Sequence, residues 1–152
     1  MKKNKSEQGQ SLVELAISIV ILIYLLSGAV EFGLAFFQYV QLRDAAQEGA
    51  LYGSLNPTDN TNIEKRARNA STSPVDLSDT SQVDVSIYVD STLIWKNGST
   101  QGTTTHACES YGLQVTVSYS HKIFMPFIPQ FIGSSTIPLN ATVTDTILSP
   151  IC

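Results

Sequence analysis

From Leu12 to Val40 the chain is almost continuously apolar, and between Leu15 and Val30 no residue carries a charge. About 20 such residues suffice for a helix to cross the roughly 30 Å hydrocarbon core of a bilayer. No proline interrupts Gln10 to Asn56, and Asn56-Pro57 is a stop signal. A helix from about Ser11 to Ser54 would be roughly 66 Å long, twice the thickness of that core. The pattern therefore predicts a helix that crosses a membrane and projects beyond it. In the projecting half the pattern turns amphipathic, with Ala45, Gly49 and Gly53 at every fourth position. Leu42, Ala46 and Ala50 lie close to that side, and together these small residues are expected to cover a sheet.

Beyond Pro57 the period changes. A short helix is expected at about Asn62–Ala70, then a loop containing Pro74. Val83–Val89 alternates strictly, and "STLIWKNGS" reads as a second strand ending in the turn Asn97-Gly98. Tyr111–Ser120 alternates again, and "TIPLNATVTDTIL" reads as a last strand. Between these two lies "KIFMPFIPQFIG", an apolar loop broken by prolines. Phe124, Met125, Phe127, Ile128, Phe131 and Ile132 would form a sticky patch there, expected to fold onto the domain or the long helix. Membrane-surface and subunit contacts are its other readings. The expected fold class is α+β: a long N-terminal transmembrane and projecting helix followed by a small antiparallel β-sheet domain. The expected divisions are a leader at 1–9, a transmembrane helix at 10–40, its projecting continuation at 41–56, and a β-rich domain at 57–152.

Charge gives the helix a direction. Only 14% of the 152 residues are charged, against about 25% in soluble domains. Lys2, Lys3 and Lys5 precede the apolar run, and the next basic residue is Arg43. Basic residues flanking a span stay cytoplasmic, so the N-terminus is expected inside and the β-rich domain outside. The net charge is −4, and losing residues 1–9 would leave the remainder more acidic. An acidic exterior domain without a basic stripe argues against nucleic-acid binding. Cys108 and Cys152 both fall in the exterior part, where disulfides persist. They could pair with each other, pair with another chain or stay reduced. His106 and His121 have no Cys or His cluster around them, so no metal site is expected. Phosphate-cradling loops, nucleophile elbows and HExxH are absent. Neither catalysis, a cofactor nor a small-molecule substrate is expected. Three Asn-x-Ser/Thr triplets, at Asn69, Asn97 and Asn140, are of a kind that chance supplies in so Ser- and Thr-rich a chain.

One residue does not fit a plain anchor. In "QGQSLVELA" Glu14 stands at the front edge of the apolar run, where an ionised carboxylate is expensive. A secretory signal would place its small-residue cleavage site after the apolar core, whereas Gly9 precedes it. Cutting after Gly9 would remove the lysines and leave the helix attached, with Gln10 as the new terminus and Glu14 at its fifth position. This arrangement resembles the class III leader of type IV pilin-like proteins, which a prepilin peptidase cuts on the cytoplasmic side after a glycine. The resemblance implies cleavage between Gly9 and Gln10 and assigns Glu14 to setting register. A carboxylate in the membrane is neutralised by the α-amine of an adjacent subunit only at one axial stagger.

Three pieces, "GQSLVELA", "VEFGLAFF" and "DAAQEGALYGSLNP", narrow the resemblance to the TadE-like proteins of tight-adherence (Tad, Flp-type) pilus systems. Leu34 departs from it, standing where a basic residue is expected after "EFG". The resemblance implies a minor pilin or pseudopilin of a pilus assembly or secretion apparatus, sited in the inner membrane and able to enter an extracellular pilus. Its partners would be the prepilin peptidase, other pilin or pseudopilin subunits, the inner-membrane assembly platform and membrane lipid. The rivals are a type II secretion pseudopilin and an uncleaved single-pass anchor for a binding or adhesion domain. Glu31 lies 17 residues after Glu14, on a different face and roughly 25 Å along the axis. It is expected near the outer interface, or else in contact with a partner subunit. Ala29 and Gly33 form a small-xxx-small pair suited to close helix packing.

Overall fold

The computed structural model describes residues 5–103, 107–125 and 128–149, with the side chains of 5–8 and 131 left aside. Helix α1 spans Lys5–Leu55 as one unbroken rod of 51 residues, about 76 Å long. It begins before Gly9, so Lys5–Gln8 and the apolar run share one helix instead of meeting at a break. The end falls as expected ahead of Pro57. There the Leu148 amide donates to the Ser54 carbonyl at 2.8 Å, satisfying one of the acceptors that a helix end leaves open.

Helix α2, Asn60–Asn69, starts at Asp59, whose side chain accepts from the Asn62 amide. Five strands follow: β1 Val83–Val89, β2 Thr92–Lys96, β3 Ser99–Thr100, β4 Gly112–Lys122 and β5 Thr136–Thr146, with a short helix α3, Ile128–Ile132, between the last two. They form one antiparallel sheet ordered β3-β2-β1-β4-β5. The chain is thus α+β, as the alternation of periods predicts. β2 ends, as expected, at the turn Asn97-Gly98, both with positive φ, and the short β3 follows that turn. Asp90-Ser91 makes the equivalent turn between β1 and β2. Paired positive φ values suit tight hairpins because their twist matches that of the strands.

The core lies between the sheet and the helices. Val83, Val85, Ile87 and Val89 of β1 and Leu113, Val115 and Val117 of β4 point to one face and are buried. Against them lie Leu42, Ala45, Ala46 and Ala50 of α1 and Ile63 and Ala67 of α2. The small residues of α1 allow this closeness. A Cβ on Gly53 would stand 2.7 Å from Leu113 Cδ2, and one on Gly49 would meet Ala67 Cβ at 3.2 Å. On the opposite face alternation places polar groups, such as the paired Thr116 and Thr142 hydroxyls 3.0 Å apart.

Candidate functional site

Two halves of α1 live in different surroundings. The first is apolar and long enough to cross a membrane, and the protein itself buries none of it. Leu12, Leu15, Leu22 and Leu25 are all exposed, as are their neighbours round the helix. Gly9, Gln10 and Glu14 lie on this half and are exposed. The Gln10 side-chain amide donates to Glu14 Oε1 at 3.2 Å, and Ser18 Oγ donates to the Glu14 carbonyl at 2.8 Å. Among the described residues no cation pairs with the Glu14 carboxylate.

The second half begins at Glu31. From there a buried stripe runs through Ala35, Gln38, Leu42, Ala45 and Gly49 to Gly53, the spacing of one helix face. Glu31 opens the stripe and is only 3% exposed. Its Oε1 lies 2.7 Å from Nε2 of His121, itself fully buried at the end of β4. The same oxygen accepts the Phe124 amide at 3.1 Å, and Oε2 accepts the Met125 amide at 3.1 Å. One carboxylate thus ties the exit of α1 to the end of β4 and to the loop after it. Since a carboxylate only accepts, His121 Nε2 carries the proton in this contact. His121 Nδ1 is buried without a partner among the described residues.

Sequence reasoning placed Glu31 by depth and did not pair it with His121. A signal was present: β4 alternates, and the odd positions that bury Leu113, Val115 and Val117 bring His121 to the inner face as well. An inward histidine requires a polar partner. Ala29 and Gly33 flank Glu31 but are exposed, and a Cβ on Gly33 would meet nothing within 4 Å. Among the described residues no other helix lies against that pair. Leu34 is also exposed. The apolar loop is only partly packed: Met125 lies against α1, whereas Phe124 and Ile132 are 77% and 56% exposed.

A second polar cluster, unforeseen from the sequence, braces the domain. Glu64 Oε1 pairs with Arg68 Nε at 2.6 Å, while Glu64 Oε2 accepts from Trp95 Nε1 at 2.6 Å and the Gly98 amide at 2.7 Å. The other guanidinium nitrogens of Arg68 donate to the Leu77 and Val83 carbonyls and to Asn97 Oδ1. The Asn97 side chain in turn contacts Asp84 and the Val85 amide. Burial works to raise the Glu64 pKa. The hydrogen bonds from Trp95, Arg68 and Gly98 outweigh it and hold the carboxyl below its ordinary value. This cluster joins α2, the loop before β1 and the β2–β3 turn, and its every group is used structurally.

Cys108 is disulfide-bonded. Cys152 lies outside the described residues, as do His106 and Phe127. Among the described residues no three His, Cys, Asp or Glu side chains gather as a metal site would need. No curated protein and no solved structure matches the chain. The family model described as TadE-like protein matches residues 9–51, the stretch that holds Gly9, Glu14, Glu31 and the stripe down to Gly49. Over that helix the chain is similar to the TadE-like proteins.

Proposed function

We propose that this protein is a minor pilin or pseudopilin subunit of a Tad-type pilus assembly or secretion apparatus. It is cut after Gly9 by a prepilin peptidase and assembled through α1. Residues 1–9 serve as the leader, 10–40 cross the inner membrane with the N-terminus inside, 41–56 project, and 57–152 form the extracytoplasmic domain. Its partners are other pilin or pseudopilin subunits, the assembly platform and lipid. Its role is structural, and the added β-rich domain suits a minor or initiating subunit better than bulk polymer. The disulfide of Cys108 is assigned to Cys152, the chain's other cysteine.

The observation that supports this most is the division of α1. Its β-domain half is buried down to the small residues, while the half headed by Glu14 is left exposed on the protein surface. A plain anchor needs an apolar surface but gains nothing from a carboxylate at its leading edge. A subunit whose neighbour supplies an α-amine does gain from it. Glu14→Ala separates the two readings in the native host. Processing should proceed, because the residues at the cut are unchanged, while the protein fails to enter the assembled filament or apparatus. Normal incorporation of the Glu14→Ala protein would remove the register role.

A further inference from the structure

We propose that the segment between β4 and β5 enters the outer face of the bilayer that α1 crosses, giving the domain a second membrane contact beside the helix. The proposal rests on the reading of α1 as membrane-spanning. Residues 123–132, "IFMPFIPQFI", carry no charge, and Lys122 marks the last charged position before them. Phe124 and Ile132 stand out from the surface, 77% and 56% exposed. A soluble surface does not ordinarily gather such residues without a partner to cover them.

The level of the segment along α1 is fixed by Glu31, which holds the backbone of Phe124 and Met125 just past the uncharged stretch Leu15–Val30. From there Met125 lines a shallow apolar groove with Val30, Ser27, Tyr24 and Val20. That groove descends α1 by about 15 Å from Val30 to Val20. The loop and the exposed helix are therefore one continuous apolar surface. Whatever solvates Val20 to Val30 also reaches Met125, and for a spanning helix that solvent is lipid.

At the two ends of the segment the backbone suits the same occupant, because an unpaired N–H in hydrocarbon costs several kcal/mol. Here the Phe124 and Met125 amides bond to Glu31 and the Ile123 amide bonds to the Ser135 carbonyl. The Gly133 amide bonds to the Pro129 carbonyl at 2.8 Å, and Pro126 and Pro129 have no N–H to satisfy. On this account the buried Glu31 does not face lipid. It neutralises the donors of a segment that does. Two contacts, helix and loop, would set the tilt of α1 and the β domain packed on it over the membrane.

The test uses the full chain in phosphatidylethanolamine–phosphatidylglycerol vesicles, with the photocrosslinker p-benzoylphenylalanine in place of Phe124 and, separately, of Ile132. Both positions are exposed, so folding is spared. The same label at Leu22 reports the span, and at Leu51, exposed on the projecting half, it reports the aqueous side. The expected result is lipid adducts by mass spectrometry at positions 22, 124 and 132, at least tenfold above position 51. Lipid adducts at 22 but not at 124 or 132 would overturn the loop proposal and leave the span standing. Adducts at 124 and 132 to a second copy of the chain would overturn it in favour of a subunit contact. Absence of lipid adducts at 22 would remove the spanning reading and this proposal with it.

Discussion

Removing the Glu31 carboxylate should release the loop after β4 while leaving the sheet in place. Glu31 accepts the amides of Phe124 and Met125 and the ring nitrogen of His121. Hydrogen bonds to a charged group contribute about 1.5–3 kcal/mol each, and the two amides are only partly buried, which places them at the low end. Glu31→Ala should therefore favour loop opening by about 3 kcal/mol, roughly 100-fold in the opening equilibrium at 1.4 kcal/mol per tenfold. Glu31→Gln keeps one carbonyl oxygen and loses the charge and the second acceptor, so about tenfold is expected. Amide hydrogen exchange of the full chain in detergent micelles reads this directly at Phe124 and Met125. The amides of β1, which pair with β2 and β4, serve as the internal reference. Exchange at both loop amides within threefold of the parent chain in both variants would refute the clamp. Faster exchange across β1 as well would mean that Glu31 supports the whole domain instead of the loop.

Gly53→Ala should destabilise the domain by about 1–2 kcal/mol, as overpacking outweighs the gain in helix propensity. Both methyls of the fully buried Leu113 lie within 3.0 Å of the new Cβ, and Ile63 blocks the other side at 3.2 Å. Gly33→Ala, with open space around it, gains helix propensity without overpacking and should leave thermal unfolding in micelles no lower than the parent's, and equal melting of the two variants would contradict the packing. Glu64 makes a pH prediction. Its carboxyl is held below its ordinary value in the fold, so its stabilisation is fully present above the unfolded value of about 4.3 and lost as pH falls through the folded one. Glu64→Gln should lower the melting temperature at pH 7, because an amide nitrogen and Arg68 cannot bond donor to donor. It should also flatten the acid limb of the melting curve between about pH 5 and 3, and an acid limb as steep as the parent's would assign it to other carboxylates.

What the sequence made legible was whatever depends on near neighbours. Strict alternation located β1 at Val83–Val89, Asn97-Gly98 marked a hairpin turn, and Pro57 bounded α1. The stripe of Ala45, Gly49 and Gly53 identified the helix face that covers the sheet. Contacts between distant parts were not legible. Glu31 and His121 are 90 residues apart, and only the position of β4 beside α1 makes them partners. Glu64 and Arg68 have the i,i+4 spacing of an ordinary exposed helix pair. It is the packing of Trp95, Gly98 and Leu77 over them that turns the pair into a buried brace. The apolar loop was visible as a patch, but its level along α1 is set by a hydrogen bond that no local pattern encodes. Glu14 was legible for a different reason: a charge that breaks an apolar run needs no fold to be noticed.

The central claim is that Gly9 and Gln10 bound a leader whose removal leaves a helix headed by Glu14. Intact mass and N-terminal peptide mapping of the protein extracted from its native membrane test it most directly. The account predicts a chain beginning at Gln10, its α-amine kept available, by methylation for instance, and not lost by cyclisation of the glutamine. A chain that retains Lys2 to Gly9 would contradict it, leaving an uncleaved single-pass anchor and a Glu14 without the partner proposed for it.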